Sequence, residues 1–192
     1  TKIIKVRLIL EEEKKVLLLE QTNENGGKYT LVGGTVEALE FARKALIREC
    51  REEIGIKLKS NDLSIAHILH KKKIGEDRIT FYFNTVKWTK TIKCKEKKKF
   101  AAVSWFPIDT LPLQTSSTVR HVLEQIKMGK LYSELIVGDK KAYKQRIRDA
   151  KAFKNTKKKV AISESLPDAT VEQDNLTFPI KIIESKELIT IQ

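Results

Sequence analysis

Several features that define whole classes of protein are scarce or absent in this chain of 192 residues. Its two cysteines, Cys50 and Cys94, are far apart and outside any metal-binding motif, which argues against a disulfide scaffold and predicts a reducing, cytoplasmic environment. The longest purely aliphatic run, Val16 to Leu19, falls far short of the roughly 20 residues of a membrane helix, and the charged N-terminal stretch is unlike a signal peptide. No internal repeat is present. These absences leave a soluble protein that does not contact membranes.

Positive charge is abundant and unevenly spread. The chain carries 38 Lys and Arg against 25 Asp and Glu, a net charge of +13, which favours polyanionic partners in general. Residues 1–136 hold 26 basic and 17 acidic side chains, residues 137–159 hold 10 and 2, and residues 160–192 hold 2 and 6. These shifts predict a main domain over 1–136, a basic helical segment over 137–159 and a C-terminal extension with short strands over 160–192.

Residues 1–136 show strand patterns interrupted by two helical ones. Helical periodicity covers 40–54 and 116–128. Strand patterns cover Ile3–Leu10, Val16–Gln21, Lys28–Val32, Leu63–His70, Arg78–Trp88 and Ala102–Phe106. Strands interleaved with helices predict an α/β or an α+β fold.

The segment from Gly34 to Ile56, GTVEALEFARKALIRECREEIGI, is the most informative part of the chain. Its helical part places Glu49, Glu52 and Glu53 within about 100° on one face, beside an apolar stripe. Like charges so close together need neutralisation, and hard divalent cations with oxygen ligands supply it best. The pattern therefore indicates metal-assisted phosphoryl chemistry, against the simpler interpretation of a solvated acidic helix face.

At every defined position this segment matches the Nudix box, G-x5-E-x7-R-E-U-x-E-E-x-G-U with U apolar, so the chain resembles Nudix hydrolases. The resemblance implies an α/β/α sandwich with a mixed sheet and hydrolysis of nucleoside diphosphate-linked compounds with Mg²⁺ or Mn²⁺. Leu39 stands where the family often has glycine.

The resemblance also assigns roles to residues. It implies Glu49, Glu52 and Glu53 as metal ligands, with the carbonyl of Gly33, while Arg48 and Glu40 hold the loop–helix–loop together. The general base stays open. Glu96 precedes Trp105 by nine residues, as in a pattern of small nucleotide-acting members, and is a candidate ligand or base, although a plain loop glutamate is as good an interpretation.

Sequence motifs typical of a particular substrate are mostly missing, so elimination predicts nucleoside triphosphates as substrates. Their hydrolysis would release a nucleoside monophosphate and pyrophosphate. ADP-ribose or nucleotide sugars are an alternative. Tyr82 points away from Phe81 and Phe83 along a strand and is a candidate for stacking on a base. Lys99, in the basic run from Lys93, is a candidate contact for substrate phosphates.

The basic stretch Lys140 to Lys159 permits a different function. It suggests an RNA-associated binding module, or a hydrolase that acts on RNA 5′ ends, although it contains no known RNA-binding signature. The protein is expected to be a monomer or a homodimer.

Overall fold

A computed structural model of the protein describes residues 2–88, 91–138, 141–142, 144–145, 148–149 and 151–152. The chain divides after residue 147 into two units. The described residues from 141 onward are all helical. Most of the predicted basic helical segment and the whole of 160–192 lie outside the described residues, so the predicted domain boundaries stay predictions.

The described residues between 2 and 138 form eight strands and two α-helices. The strands are β1 (Lys2–Ile9), β2 (Glu11–Glu12), β3 (Lys15–Gln21), β4 (Tyr29–Thr30), β5 (Ser64–Lys73), β6 (Glu76–Asn84), β7 (Phe100–Pro107) and β8 (Tyr132–Ile136). The helices are α1 (Ala42–Glu53) and α2 (Ser117–Lys127), and single 3-10 turns lie at Asn23–Asn25, Ser60–Asp62 and Ile108–Thr110. No helix in the described part of the chain is both long and apolar enough to span a membrane.

The strands form two sheets. The first has the order β1-β6-β5-β8, in which β1 runs parallel to β6, β5 antiparallel to β6 and β8 parallel to β5. In the second, β3 pairs antiparallel with β2, β4 and β7. The mixed sheet predicted from the family resemblance is therefore confirmed.

One helix covers each side of the sheets. The run Val16 to Leu19 is buried on both faces, because Leu17 and Leu19 pack into the α1 core while Val16 and Leu18 pack into the α2 core. A strand covered on both faces is hydrophobic without alternation, which is why this run shows no polar positions. The α/β/α sandwich is confirmed.

The strand predictions need correction. The structure adds β2 and β8, which the sequence analysis did not predict, and it ends β6 at Asn84 rather than Trp88. At that point Thr85 Oγ1 accepts a hydrogen bond of 3.1 Å from the backbone N–H of Lys87, which turns the chain. A threonine that bonds its own backbone in this way competes with the strand ladder.

The segment after β4 joins the two sheets. Its backbone runs antiparallel to β1, with bridges between Leu8 and Val32 and between Lys5 and Thr35. The Val6 N–H donates to the Gly34 carbonyl at 3.0 Å. The glycine pair is thus fixed directly beside β1 and in front of α1.

Candidate active site

The two glycines are required by space. Gly33 has φ +127°, and a Cβ there would overlap the backbone carbonyl of Val6. A Cβ on Gly34 would overlap the carboxylate of Glu49. Only residues without a side chain let the loop lie against both β1 and the helix carboxylates.

Helix α1 presents its carboxylates unequally. Glu49 and Glu53 are four residues apart and buried, with 9% and 3% of their surfaces exposed. The side chain of Glu52 is 46% exposed. Buried Ala45, Leu46 and Cys50 anchor the same helix in the core, so the acidic pair lies at the edge of that core, as the helical pattern predicts.

Glu53 is the most perturbed carboxyl of the site. Burial raises its pKa to about 7, and the negative charges of Glu49 and Glu96 add to this. A hydrogen bond of 2.7 Å from the Gly33 N–H to Oε2, and the charge of Arg7, oppose the shift. A carboxyl whose pKa lies near neutrality can exchange a proton at physiological pH.

Arg48 forms hydrogen bonds with glutamates of α1 and with the loop that precedes this helix. Its Nε and Nη2 donate to the two carboxylate oxygens of Glu40 at 3.1 and 3.0 Å, a forked pair. Nη1 donates to Glu49 at 3.0 Å and to Glu52 at 3.2 Å, and Nη2 also reaches the Thr35 carbonyl at 3.2 Å. Arg48 and Glu40 therefore hold the loop to the helix, the roles that the family resemblance implies.

A cleft of about 310 Å³ opens in front of this arrangement. Glu49, Glu53 and the glycine pair line one part of it, and Lys5, Arg7 and Lys99 bring positive charge to the same space. Arg7 is tied to the loop, because its Nη1 donates to the carbonyls of Leu31 and Gly33. Carboxylates and cations around one cleft suit a cation and a phosphate together.

Glu96 and Lys99 stand next to each other at 2.9 Å, between Oε2 and Nζ. The electrostatic influence of Glu96 on the pKa of Glu53 places it near the helix carboxylates, although it does not line the cleft. Lys99 does line the cleft. Their roles as base and phosphate contact stay predictions.

Tyr82 occupies an unexpected environment. Its side chain does point away from Phe83, but only 3% of the residue is exposed, because α2 covers that face of the sheet. It lines a smaller cavity beside the cleft. Burial raises the pKa of its phenol to about 12. Stacking of Tyr82 on a base stays a prediction.

Sequence reasoning missed Lys5 and Arg7. Both lie on β1, two positions apart, and so project to the same face of a strand. Two cations spaced in this way within an otherwise apolar strand were the available signal. Lys5 and Arg7 join the site through the pairing of β1 with the glycine segment, which no local pattern reveals.

The donor set fits a divalent cation. Among the described residues no three His, Cys, Asp or Glu side chains stand together at metal-site spacing. Mg²⁺, however, usually binds through one or two carboxylates and completes its shell with water and substrate phosphates. Glu49 and Glu53 line the cleft together with Gly33, and Glu52 accepts a hydrogen bond from the same Nη1 of Arg48 as Glu49 does. The three carboxylates and the Gly33 carbonyl are the groups that would hold the ion.

Comparisons with known proteins show the fold and the family of this chain. A curated protein of Escherichia coli (strain K12), named CTP pyrophosphohydrolase, is 36% identical over 64 residues, which are 32% of this chain and 47% of that protein. The match thus spans about half the length of the curated relative. Among solved structures, the MutT NUDIX hydrolase from Burkholderia pseudomallei has a TM-score of 0.60 at 23% identity and covers 65% of this chain and 98% of that one.

A second solved structure, the MutT protein from Methanosarcina mazei Go1, has a TM-score of 0.58 at 23% identity and covers 67% of this chain and 94% of that one. At such identities the likeness shows a shared fold. The family model of the NUDIX domain matches residues 2–126, well over half of the chain. With its complete sequence motif and its α/β/α sandwich, this chain belongs to the Nudix family.

Proposed function

We propose that this protein is a divalent-metal-dependent hydrolase of nucleoside diphosphate-linked compounds, and that nucleoside triphosphates are its main substrates. Nudix hydrolases generally use divalent metal ions. The observation that carries the proposal is the cleft in which the buried carboxylates of Glu49 and Glu53 share one space with Arg7 and Lys99. That combination recognises a cation and an anionic phosphate chain at once.

The reaction forms one P–O bond from water and breaks the bridging P–O bond of the anhydride. The electron pair of the broken bond stays on the leaving phosphate oxygen, and the proton from water passes to a carboxylate of the cleft. Glu49 and Glu53 are the candidate acceptors, because both carboxylates line the cleft. A bound Mg²⁺ or Mn²⁺ would polarise the phosphoryl oxygens and make the water more acidic.

The remaining residues of the site bind and position. Lys99 and Arg7 attract the phosphate chain, while Arg48 keeps the carboxylates of Glu49 and Glu52 in place through hydrogen bonds of 3.0 and 3.2 Å. The products of a triphosphate would be a nucleoside monophosphate and pyrophosphate. The E. coli relative named CTP pyrophosphohydrolase makes cytidine nucleotides the first to test. ADP-ribose and nucleotide sugars belong in the same panel.

The test uses Glu49→Gln and Glu53→Gln, with Glu124→Gln on the exposed face of α2 as the matched control. With CTP and Mg²⁺ or Mn²⁺, we expect kcat to fall at least a hundredfold in both site variants and to stay at the wild-type value in the control. Circular dichroism checks that each variant is folded. Near-normal turnover in both site variants would contradict the proposal, as would an absence of turnover across the whole panel in the wild type.

Two further proposals concern macromolecular partners and the cellular compartment. Association with RNA through Lys140 to Lys159 depends on a stretch that lies mostly outside the described residues, so it stays a prediction, as does the oligomeric state. Both cysteines are free, Cys50 in the core and Cys94 partly exposed, which supports a reducing compartment such as the cytoplasm.

A further inference from the structure

A second, smaller cavity of about 90 Å³ adjoins the cleft. Its walls come from β1, from β4 and the residue after it, from β5 and β6, and from the start of α2. Lys5, Arg7 and Thr30 line both this cavity and the cleft, so the two spaces are neighbours along β1. We call it the basic pocket; its polar walls are Lys5, Arg7, Lys71, Arg78, Ser116 and Thr118.

Four cations line the basic pocket because strand pairing brings them to one face. Lys71 on β5 is opposite Arg78 on β6, and Lys5 on β1 is opposite Thr80, which follows Arg78 by two positions. Alternate residues of a strand share a face, so Lys5 and Arg7 project together. Glu76 pairs with Arg78, with its Oε2 2.9 Å from Nη2, and the charges of Glu53 and Glu49 act on Arg7 from the cleft.

These cations are not fully compensated. Burial lowers the pKa of Lys5 and of Lys71, and the positive charges of Arg7 and Arg78 lower both further. The Nε of Arg78 is buried and has no hydrogen-bond partner among the described residues. A buried donor without a partner is costly, and crowded like charges repel each other, so a compact anion would relieve both.

The rest of the basic pocket also suits a phosphate group. Ser116 and Thr118 bring hydroxyl donors from the start of α2, where the helix dipole favours negative charge. A cavity volume of about 90 Å³ leaves room for a compact anion such as a phosphoryl group. The one aromatic wall, Tyr82, is almost wholly buried and offers little face to a base.

We propose that the basic pocket is a subsite for a second phosphate group of the substrate, separate from the anhydride that is cleaved in the cleft. This inference rests on the proposed function and narrows its substrate class. The preferred substrate carries a triphosphate and a further phosphoryl group, either on the ribose or at the end of a longer polyphosphate chain.

The test measures binding rather than turnover. Isothermal titration at fixed salt compares the α,β-methylene analogue of CTP with its 3′-phosphorylated form and with the corresponding tetraphosphate. We expect at least one of the two larger analogues to bind at least tenfold tighter than the triphosphate analogue. The location of the extra phosphate in the better one distinguishes its two sources.

Variants then test whether the gain in affinity comes from the basic pocket. Lys71→Met and Arg78→Gln should each remove it, and Arg78→Lys should restore part of it. The matched control is Lys72→Met, because Lys72 lies on the other face of β5 and does not line the basic pocket. Thermal unfolding confirms that all four variants are folded.

Equal affinity for all three analogues would overturn the inference, and so would a gain that survives in both Lys71→Met and Arg78→Gln. Binding of inorganic phosphate without any gain from the larger analogues would also overturn it, since the pocket would then serve a free anion. Because binding needs no turnover, a tenfold gain in a protein that hydrolyses nothing would contradict only the proposed function.

Discussion

The backbone N–H of Gly33 donates a hydrogen bond of 2.7 Å to Oε2 of Glu53, at the last position of α1. The carbonyl of the same glycine accepts from Arg7 on β1. One residue thus connects the strand, the loop and the helix that together form the cleft. The geometry of the acidic pair therefore depends on a residue that has no side chain.

Substitutions of the two glycines should differ in effect, one lowering mainly stability and the other mainly activity. Gly33→Ala introduces a Cβ at φ +127° against the Val6 backbone, which cannot yield, and we expect a loss of about 2–4 kcal/mol in unfolding free energy. Gly34→Ala meets the carboxylate of Glu49, which can rotate away. We expect its stability to fall by less than about 1 kcal/mol while kcat falls at least tenfold. Urea unfolding and steady-state kinetics provide the measurements.

Gly26→Ala is the control for backbone strain alone. Gly26 has φ +101°, and its Cβ would meet open space, so it should cost about 1–2 kcal/mol and leave kcat unchanged. If Gly33→Ala were no more destabilising than Gly26→Ala, close packing of the loop on β1 would be ruled out as the reason for the glycine.

The raised pKa of Glu53 predicts the direction of a pH effect on stability in the absence of divalent ions. The folded protein holds this proton up to pH of about 7, whereas the unfolded chain releases it near 4.5. The stabilisation of the folded protein by protonated Glu53 is therefore fully present below pH 4.5. It is lost as the pH rises to about 7, which lowers the free energy of unfolding by up to about 3 kcal/mol. Unfolding with EDTA across this range measures it.

Glu53→Gln should flatten this part of the profile. Addition of Mg²⁺ should stabilise the wild type more at pH 8 than at pH 5, because the ion binds the ionised carboxylate. A stability that rises between pH 4.5 and 7 through Glu53, revealed by its loss in the glutamine variant, would contradict the burial argument.

The fork between Arg48 and Glu40 should be specific for arginine. Arg48→Lys keeps the charge but loses the paired geometry, so we expect a loss of about 1–2 kcal/mol and a reduced kcat. A double-mutant cycle with Glu40→Gln measures the coupling. Arg43→Lys, on the exposed face of the same helix, is the control and should change neither quantity. Simple additivity of Arg48→Lys and Glu40→Gln would show that the fork contributes nothing.

Lys99 should act on substrate binding rather than on chemistry. Lys99→Met removes a cation that lines the cleft, and we expect KM to rise about fivefold with kcat within about twofold of the wild type. Its neighbour Lys98 is exposed and does not line the cleft, so Lys98→Met should leave both constants unchanged. Equal effects in the two variants would reduce the role of Lys99 to general surface charge.

Leu39 offers a stabilising substitution. It adopts φ +64° with its side chain fully exposed, at the position where the family often has glycine. Leu39→Gly relieves the left-handed conformation without loss of packing, and we expect a gain of about 0.5–1 kcal/mol after the added freedom of the unfolded chain is subtracted. Leu113→Gly, equally exposed but without positive φ, should destabilise instead. Thermal unfolding compares the two.

Local periodicity predicted the acidic helix and the interleaved strands and helices, whereas the layers were predicted from the resemblance to the Nudix family. The pattern over 40–54 corresponds to α1, and the glutamates it contains do lie at the edge of the core. The burial of Glu53 and the exposure of Glu52 agree with the same periodicity, because Glu53 lies closer to the apolar stripe. The hydrogen bond from the Gly33 N–H to Glu53 was not predictable, since it depends on where the glycine loop lies against the helix.

The features of the site that the sequence did not predict depend on contacts between residues that are far apart in the chain. Arg7 reaches the site through a residue 26 positions away, and neither partner shows this in its own neighbourhood. Tyr82 illustrates the converse. Alternation placed it correctly on the face opposite Phe83, but only the packing of α2 makes that face a second core. Periodicity predicts the buried face of a single helix or strand. Which other element packs against that face depends on contacts between elements.

The position of β1 has a consequence for synthesis on the ribosome. β1 lies between the glycine segment on one edge and β6 on the other, with Val6 opposite Phe81. A nascent chain that has released the residues up to 60 but none beyond them holds the complete acidic motif, yet the strand that supports it still lacks a neighbour on one edge. The cleft can therefore close only after residues 76–84 have emerged, so a chain terminated before that point would carry the motif without the site.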